Sequence, residues 1–239
     1  MPELRENQAY YDEFASWYER GRDRGYHELI DRLELEAVGP YLEGARVLEA
    51  GCGTGLILRR LAERAASASG VDLSGGMLAQ ARDKRLVVAQ ATLERLPFPD
   101  AAFDLVCSFK VLAHVRAIEA ALAELARVTR PGGTMVLEFY NTHSLRHLIK
   151  RLRPGLRISE QTTDSEVYTR YDSLAEIRRV LPPRVRIRDL RGVRVVTLVP
   201  QPLHLPLVGD AVAALERRAT SVPGLRRLGG FLIVIAEKL

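Results

Sequence analysis

The chain has 239 residues, of which 47% are hydrophobic and 27% charged, and its formal net charge is +5. This balance is typical of a globular protein, and the length suits one α/β domain with an accessory element. Without an apolar run of about 18 residues or a signal-like start, we expect neither a transmembrane helix nor a secreted protein. Two cysteines, Cys52 and Cys107, are too few for a disulfide framework, and we interpret them as buried thiols of a cytoplasmic protein.

Helices and strands are predicted to alternate up to about residue 141. A helical pattern through Leu29 and Leu33 stops at Gly39-Pro40, and LILRRLAERAA predicts a later helix with four inward residues: Leu56, Leu58, Leu61 and Ala62. Two more predicted helices are GGMLAQARDK and AIEAALAELARVTRPGG, the second stopped by its Pro-Gly-Gly. The predicted strands between the helices are ARVLEAG, SASGVDLS, RLVVAQA, AAFDLVCSF and TMVLEFYN. Such apolar strands are typical of a parallel sheet covered on both faces.

The regular alternation of predicted strands and helices ends after about residue 142. HSLRHLIKRL and SLAEIRRVL predict helices, and RVRIRDLRGVRVVTLVP, AVAALERRA and FLIVIAEKL predict strand, helix and strand. A final strand indicates an antiparallel pair that closes the sheet edge. We therefore predict a single Rossmann-like, doubly wound α/β domain. Its parts are an N-terminal helical lid (1–40), a cofactor-binding core (41–141), a substrate lid (142–180) and a C-terminal sheet edge (181–239).

A glycine-rich turn follows the first predicted strand. Its three alternating glycines, Gly51, Gly53 and Gly55, allow a ligand to approach the backbone closely. A dinucleotide fingerprint needs its third glycine one position later, where Leu56 stands, and the lysine of a P-loop is missing. Asp72 ends the second predicted strand, where a carboxylate can accept hydrogen bonds from both hydroxyls of a ribose. Together these features predict a site for an adenosine-containing ligand.

Four motifs occur in order: E-A-G-C-G-T-G (49–55), V-D-L-S (71–74), L-P-F-P-D-A-A-F-D (96–104) and R-V-T-R-P-G-G (127–133). With them the chain resembles the class I S-adenosylmethionine-dependent methyltransferases that act on small molecules, such as those of ubiquinone biosynthesis. The resemblance covers residues 40–141 densely. It implies S-adenosyl-L-methionine as cofactor and a seven-stranded sheet, mostly parallel, with an antiparallel terminal strand and a helical lid.

The resemblance also implies a role for each matching position. The glycine turn approaches the methionine part of the cofactor, Glu49 stabilises that turn, and Asp72 binds the ribose. Adenine is expected beside Leu73 and Met77. Thr92 replaces an acid that the family often has there, so Leu93 is expected to pack on the ring. The implied cofactor site consists of Tyr18, Glu49, Gly51, Cys52, Gly53, Gly55, Asp72, Leu73, Met77, Thr92, Leu93 and Ser108.

Methyl transfer by in-line displacement requires alignment in a dry pocket, and an oxygen or nitrogen nucleophile can also need a general base. His114, just past the fourth predicted strand, is a candidate base, and a structural histidine is the alternative interpretation. In the similar phosphoethanolamine methyltransferases, an N-terminal tyrosine pairs with a histidine in this loop. By that likeness Tyr10 and His114 form a latch, whereas simple lid packing of the N-terminal aromatic residues stays open.

The predicted substrate lid carries aromatic and basic side chains. His143 and His147 have the i, i+4 spacing of metal ligands, but no third ligand is evident and no metal is expected. A basic stretch on an apolar stripe suits an anionic substrate or a membrane surface, or is simply a solvated face. The basic residues are Arg146, Lys150, Arg151, Arg153 and Arg157, and the candidate lid residues are Tyr140, His143, Tyr168 and Tyr171.

We therefore predict methyl transfer to a small-molecule acceptor that is lipid-, quinone- or secondary-metabolite-like. An RNA or protein methyltransferase is an alternative, although SFKV stands where many amino-methylating enzymes have N/D-P-P-Y/F. A nicotinamide-dependent reductase is disfavoured by the glycine spacing, and a non-catalytic cofactor-binding or assembly protein is a further alternative. We expect no nucleic-acid partner and no integral membrane contact, while peripheral membrane contact and the oligomeric state stay open.

Overall fold

The fold is taken from a computed structural model of the chain. The structure describes residues 8–13, 15, 18–22, 24–145, 147–148, 168–197, 201–204 and 208–239. The five basic residues between 146 and 157, and half of the helix predicted from HSLRHLIKRL, lie outside this part of the chain. Within the described residues, every helix is too short or too polar to cross a membrane.

Seven strands form one sheet in the order β3-β2-β1-β4-β5-β7-β6. Neighbours from β3 to β5 run parallel, and β7 runs antiparallel to both β5 and β6. The prediction of a mostly parallel, Rossmann-like sheet with an antiparallel terminal strand is confirmed. The strands are β1 (Arg46–Ala50), β2 (Ser67–Asp72), β3 (Val87–Gln90), β4 (Phe103–Ser108), β5 (Thr129–Tyr140), β6 (Val185–Val193) and β7 (Phe231–Lys238).

Helices lie between the strands in the predicted order. They are α1 (Gly25–Val38), α2 (Leu56–Ala62), α3 (Gly75–Asp83), α4 (Ile118–Val128), α5 (Leu174–Val180) and α6 (Val208–Ala219), and residues 8–13 are also helical. Local chemistry fixes some of their starts. The Ser74 side chain caps α3 by accepting a hydrogen bond from the Met77 N–H, and Ser173 and Glu176 form a capping box at α5.

The core has a layer on each face of the sheet. Val47 and Leu105 belong to the layer that also contains residues of α1, whereas Leu48 and Val106 belong to the layer that contains residues of α4. Successive residues of a strand point to opposite faces, so each apolar strand supplies both layers. This is why the central strands read as continuous apolar runs in the sequence.

The structure corrects the predicted inward face of α2. Ile57, Leu58 and Leu61 are buried, whereas Leu56 is only half-buried and Ala62 is exposed. The helix begins directly after Gly55 and has only seven residues, so its stripe at positions 57, 58 and 61 is the one that meets the core. Leu56 instead lines a cavity at the start of the helix.

The Pro-Gly-Gly segment does more than end a helix. Strand β5 begins at Thr129, five residues before the predicted strand, and runs through residues 131–133. Its register with β4 shifts between the partners Phe103↔Thr129 and Leu105↔Thr134, and Gly132 has φ +71°. The segment is therefore an irregularity inside a long strand, of the kind that glycine permits.

Candidate functional site

A cavity of about 310 Å³ lies at the carboxyl ends of β1, β2 and β4. The loops after parallel strands meet at this edge of an open α/β sheet, where ligands of such sheets bind. Many of the residues singled out from the sequence line it: Tyr18, Glu49, Gly51, Cys52, Gly53, Asp72, Leu73, Met77, Thr92, Leu93 and His114. The structure thus brings together residues that are spread between positions 18 and 114 of the chain.

The glycine turn forms the floor of the cavity, and all three glycines have positive φ. A Cβ atom on Gly51 would lie 2.2 Å from Val111, and one on Gly55 would lie 2.3 Å from Leu86. A Cβ on Gly53 would meet no atom within 4 Å. Close packing therefore requires the outer two glycines, while the middle one faces open space. Gly55 is not among the lining residues, because it caps the start of α2.

Asp72 is held so that its carboxylate faces the cavity. Oδ2 accepts a hydrogen bond from the Gly53 N–H at 2.8 Å, and Oδ1 accepts one from the Ser74 N–H at 2.9 Å. Burial raises the pKa of this carboxyl, against the effect of the backbone N–H groups. A carboxylate can accept about four hydrogen bonds, so both oxygens keep capacity for donors of a ligand.

Glu49, near the end of β1, lines the cavity. It is almost fully buried, and its Oε2 accepts no hydrogen bond within the described residues. Burial, followed by the neighbouring carboxyl of Glu34, raises the pKa of Glu49 well above its usual range. A buried polar atom without a partner is uncommon and is readily explained by a ligand group that supplies one.

The opposite end of the cavity is lined by Leu73, Met77, Thr92 and Leu93. Met77 and Leu93 are buried there and form an apolar surface. Glu94, which follows Thr92 and Leu93 in the loop after β3, also lines the cavity. It brings a carboxylate close to the position where Thr92 replaces the acid of the family pattern.

Ser108 lies beneath the cavity, and its hydroxyl donates to the Ala50 carbonyl at 2.8 Å. This bond links the carboxyl ends of β4 and β1. The next residue, Phe109, lines the cavity instead.

His114 ends a short 3₁₀ turn after β4, and its Nδ1 lies 2.9 Å from the Tyr168 carbonyl oxygen. Because a carbonyl only accepts, this hydrogen bond requires the proton on Nδ1 and leaves Nε2 as the basic nitrogen of the neutral ring. The same bond ties the loop after β4 to the predicted substrate lid. The Tyr168 ring also stacks on the Arg116 guanidinium at 4.2 Å.

A row of aromatic rings extends from the cavity wall. Tyr11 lies edge-on to His114 with ring centroids 6.5 Å apart. The Tyr140 ring is a second edge-on neighbour of His114, at a centroid distance of 5.8 Å. Tyr171 continues the row 5.8 Å from Tyr140. Tyr10, chosen from the sequence, packs on Tyr11 at 5.2 Å, and only Tyr11 of the two is among the cavity-lining residues. The sequence signal for Tyr11 was its place in the same aromatic segment.

The N-terminal segment is fastened to α3 beside the cavity. Asp12 Oδ1 accepts hydrogen bonds from Ser74 Oγ at 2.5 Å and from the Gly76 N–H at 2.8 Å. Farther on, Lys84 pairs with Glu19 at 2.6 Å. These contacts place Tyr11 and Tyr18 over the cavity. His143, by contrast, is exposed, and its backbone N–H donates to Asn141 Oδ1.

Buried charges on the other side of the cavity were not predicted from the sequence. Asp31 and Glu34 of α1 are buried and pair with Lys110, at 2.8 Å and 2.9 Å. Arg22 also pairs with Asp31, and Arg22, Asp31 and Lys110 line the cavity. Asp31 and Glu34 lie within the otherwise apolar buried face of α1. The sequence pattern of this helix does not indicate which distant cations pair with them.

Residues 48–137 match the family model described as "Methyltransferase domain". A malonyl-[acyl-carrier protein] O-methyltransferase of Serratia marcescens is 33% identical over 172 residues, which cover 66% of this chain and 67% of that protein. A demethylmenaquinone methyltransferase of Mycolicibacterium paratuberculosis is 33% identical over 177 residues, covering 71% and 73%. Other relatives are matched over little more than half of their length, such as 55% for the malonyl-[acyl-carrier protein] O-methyltransferase of Geobacter sulfurreducens.

Solved structures share the fold over nearly the whole chain. A SAM-dependent methyltransferase from Thermotoga maritima has a TM-score of 0.70 at 21% identity and covers 97% of this chain and 99% of its own. A Haloferax volcanii methyltransferase, solved in complex with its Trm112 activator, has a TM-score of 0.68 at 21% identity, covering 97% and 96%.

Proposed function

Because this chain belongs to the class I methyltransferase-domain family, we propose that it transfers a methyl group from S-adenosylmethionine to a small-molecule acceptor. One observation carries the proposal: a single cavity joins the glycine turn, the Asp72 carboxylate and His114. The first two suit an adenosine-containing cofactor, and the third suits an acceptor that loses a proton. We also propose that the protein acts in the cytoplasm.

The residues of the cavity fit the cofactor. The open space over Gly53 admits a ligand against the backbone, and Asp72 offers acceptors for two hydroxyls. The unpartnered Glu49 oxygen offers an acceptor for an ammonium group. Met77 and Leu93 provide an apolar surface for a planar ring. Tyr18 and Cys52 complete the walls that would exclude water.

When bound, the cofactor supplies a methyl group that its sulfonium already activates for displacement. What remains for the protein is alignment, exclusion of water and removal of a proton. The chain provides these through the glycine turn and Asp72, through the N-terminal segment fastened by Asp12, and through His114. With its proton held on Nδ1 by the Tyr168 carbonyl, His114 would accept the acceptor's proton at Nε2.

We propose an apolar acceptor with a hydroxyl group. A histidine base suits a hydroxyl, because this acceptor has a proton to lose. The relatives from Serratia marcescens and Mycolicibacterium paratuberculosis are named for O-methylation of malonyl-[acyl-carrier protein] and for methylation of demethylmenaquinone. The ring row of Tyr11, His114 and Tyr140 would pack against an aromatic or other flat apolar body. Residues 1–40 and 142–180 are proposed as the two lids, because Tyr11 and Tyr168 reach the site from them.

Calorimetry tests the cofactor assignment. We expect S-adenosylmethionine and S-adenosylhomocysteine to bind, and a nicotinamide dinucleotide not to bind. Asp72→Ala removes a charged acceptor and should weaken binding of both ligands by about 10- to 100-fold. Asp83→Ala, a change of an exposed aspartate at the end of α3, serves as the matched control. Binding of the nicotinamide compound alone would overturn the proposed function.

A further inference from the structure

Two elements bring three carboxyl groups together around Lys110. Asp31 and Glu34 come from α1 and Glu138 from β5, and their exposed fractions are only 2%, 0% and 1%. The Lys110 ammonium lies 2.8 Å from Asp31 Oδ1 and 2.9 Å from Glu34 Oε1, and the Lys110 backbone N–H donates to Glu138 Oε1 at 3.1 Å. Lys110 makes both sets of contacts with φ +60°, a left-handed backbone conformation that is uncommon for lysine.

A further carboxyl connects this group to the cavity. Glu49 is 3% exposed, lines the cavity and has an oxygen without a hydrogen-bond donor in the described chain. Oε2 of Glu34 and Oε2 of Glu138 likewise lack a donor there. We refer to Glu34, Glu49 and Glu138 as the carboxyl cluster. One of its members thus faces a ligand directly.

The positive charges that pair with these acids do not balance them. Asp31 and the carboxyl cluster make four buried carboxyl groups, whereas Lys110 and Arg22 are the two cations that pair with them in the described residues. A dry interior does not hold uncompensated carboxylates, so some of the carboxyls must keep a proton. Consistent with this, burial and then the neighbouring carboxyl of Glu34 raise the pKa of Glu138.

We propose that the carboxyl cluster lets the protein distinguish the positively charged cofactor from its neutral product by exchanging a proton. The cluster releases a proton to solvent when the sulfonium compound enters the cavity and takes one up after methyl transfer. This inference rests on the proposed function. A cation inside a cavity of low dielectric stabilises a nearby carboxylate, whereas a neutral thioether does not.

The charge balance of the full cycle is consistent with this exchange. The acceptor oxygen forms its bond to the methyl carbon with a lone pair, and the electron pair of the broken bond stays on sulfur. The acceptor loses its proton and the sulfonium loses its charge, so the carboxyl cluster then faces a ligand that keeps its ammonium group but has one positive charge fewer. Protonation of the cluster then removes negative charge from the cavity wall, so the product is held less tightly and can leave.

Other titratable groups face the same region. The cations are Arg22, Lys110 and Arg60, which lies near Asp31. The remaining groups are Tyr18, His27, Asp31, Asp72, Tyr140 and the thiols of Cys52 and Cys107. Burial and nearby cations lower the pKa of His27 to about 4, so it stays neutral near pH 7. Asp72 lines the cavity itself, and a variant of Glu138 is therefore needed to separate its contribution from that of the cluster.

Glu138→Gln is the test variant. A glutamine oxygen can still accept from the Lys110 N–H, and its amide can donate to Glu34, so the variant mimics the protonated side chain and should fold. Calorimetry in buffers of different ionisation heat counts the protons exchanged when S-adenosylmethionine or S-adenosylhomocysteine binds. The ligand's own amino group titrates equally in both proteins and cancels in the comparison. Glu43→Gln, at an exposed carboxyl, is the control.

We expect the wild type and the control to release more protons with S-adenosylmethionine than with S-adenosylhomocysteine. The ratio of the two dissociation constants should change by up to about tenfold per pH unit, in favour of the sulfonium compound as pH rises. Glu138→Gln should reduce both differences, and Glu34→Gln is the second variant if the first does not fold. Equal proton counts in wild type and variant would overturn the proposal. Failure of both ligands to bind the wild type would instead overturn the proposed function.

Discussion

At the residue scale, the hydrogen bond between His114 Nδ1 and the Tyr168 carbonyl decides which nitrogen can act as a base. A neutral histidine that donates a hydrogen bond from Nδ1 has its basic nitrogen at Nε2. The identity of the methyl acceptor does not change this tautomer. Tyr11 is the tyrosine that contacts this ring and lines the cavity. The latch predicted for Tyr10 and His114 stays a prediction, and Tyr11 is the neighbouring tyrosine whose ring lies beside His114 in the cavity wall.

The two tyrosines form a matched pair for testing this. We expect His114→Ala to lower kcat by about 100-fold or more while S-adenosylmethionine binding is kept, because general base catalysis contributes at least that much. Tyr11→Phe should lower kcat, whereas Tyr10→Phe should leave kcat close to the wild-type value. Steady-state kinetics together with calorimetry separates the two effects. Unchanged turnover in His114→Ala would remove histidine from the mechanism.

At the element scale, α6 is anchored by one buried glutamate. Both oxygens of Glu216 accept hydrogen bonds from the segment after β6: from the backbone N–H groups of Val195, Val196 and Thr197, at 2.8–2.9 Å, and from the Thr197 hydroxyl. A buried carboxylate is acceptor-only, which is what three converging N–H groups require. The glutamate therefore connects the helix to the edge of the sheet.

Glu216→Gln is expected to reduce the free energy of unfolding by about 2–4 kcal/mol, because the amide would turn an N–H group toward other donors. Chemical denaturation monitored by circular dichroism measures the change. Glu119→Gln, at an exposed position in the first turn of α4, should stay within about 0.5 kcal/mol of wild type. A similar small effect at residue 216 would show that the network adds little to stability.

The N-terminal segment is a second element whose role depends on its contacts. Asp12 accepts hydrogen bonds from Ser74 Oγ and from the Gly76 N–H, two and four residues after Asp72. The motif V-D-L-S therefore serves both the cavity and the segment that covers it. The sequence shows the motif but does not show that an aspartate 62 positions earlier binds to it.

At the scale of the whole molecule, the carboxyl cluster couples stability to pH. Burial raises the pKa values of Glu34, Glu49 and Glu138, so the folded state binds more protons than the unfolded state above the ordinary glutamate pKa of about 4.3. The contribution of these groups is fully present below that pH and is lost as the pH rises through the raised values. Stability should therefore decrease toward alkaline pH.

Glu138→Gln should remove part of this slope. We expect the variant and the wild type to have similar unfolding free energies near pH 4 and the variant to be the more stable at pH 8. Denaturant titrations across this range measure both curves. A variant that is less stable than the wild type at pH 8 would mean that the ionised carboxylate stabilises the fold.

Much of the molecule follows from the sequence. The apolar strands, the alternation with helices and the final antiparallel strand were all predicted, because they depend on local patterns and short-range turns. The meeting of the glycine turn and Asp72 at one cavity was also predicted, since both stand at strand ends and parallel strands bring those ends to one edge.

What only the tertiary structure decided is which side chains meet across the chain. The rotation of the N-terminal helix, set by Asp12 on α3, turns Tyr11 toward His114. Asp31 and Glu34 are buried within an apolar stripe because Lys110, more than 70 residues away, compensates their charge. A local pattern records what a residue prefers, whereas burial of a charge depends on a distant partner, and only the folded chain supplies that partner.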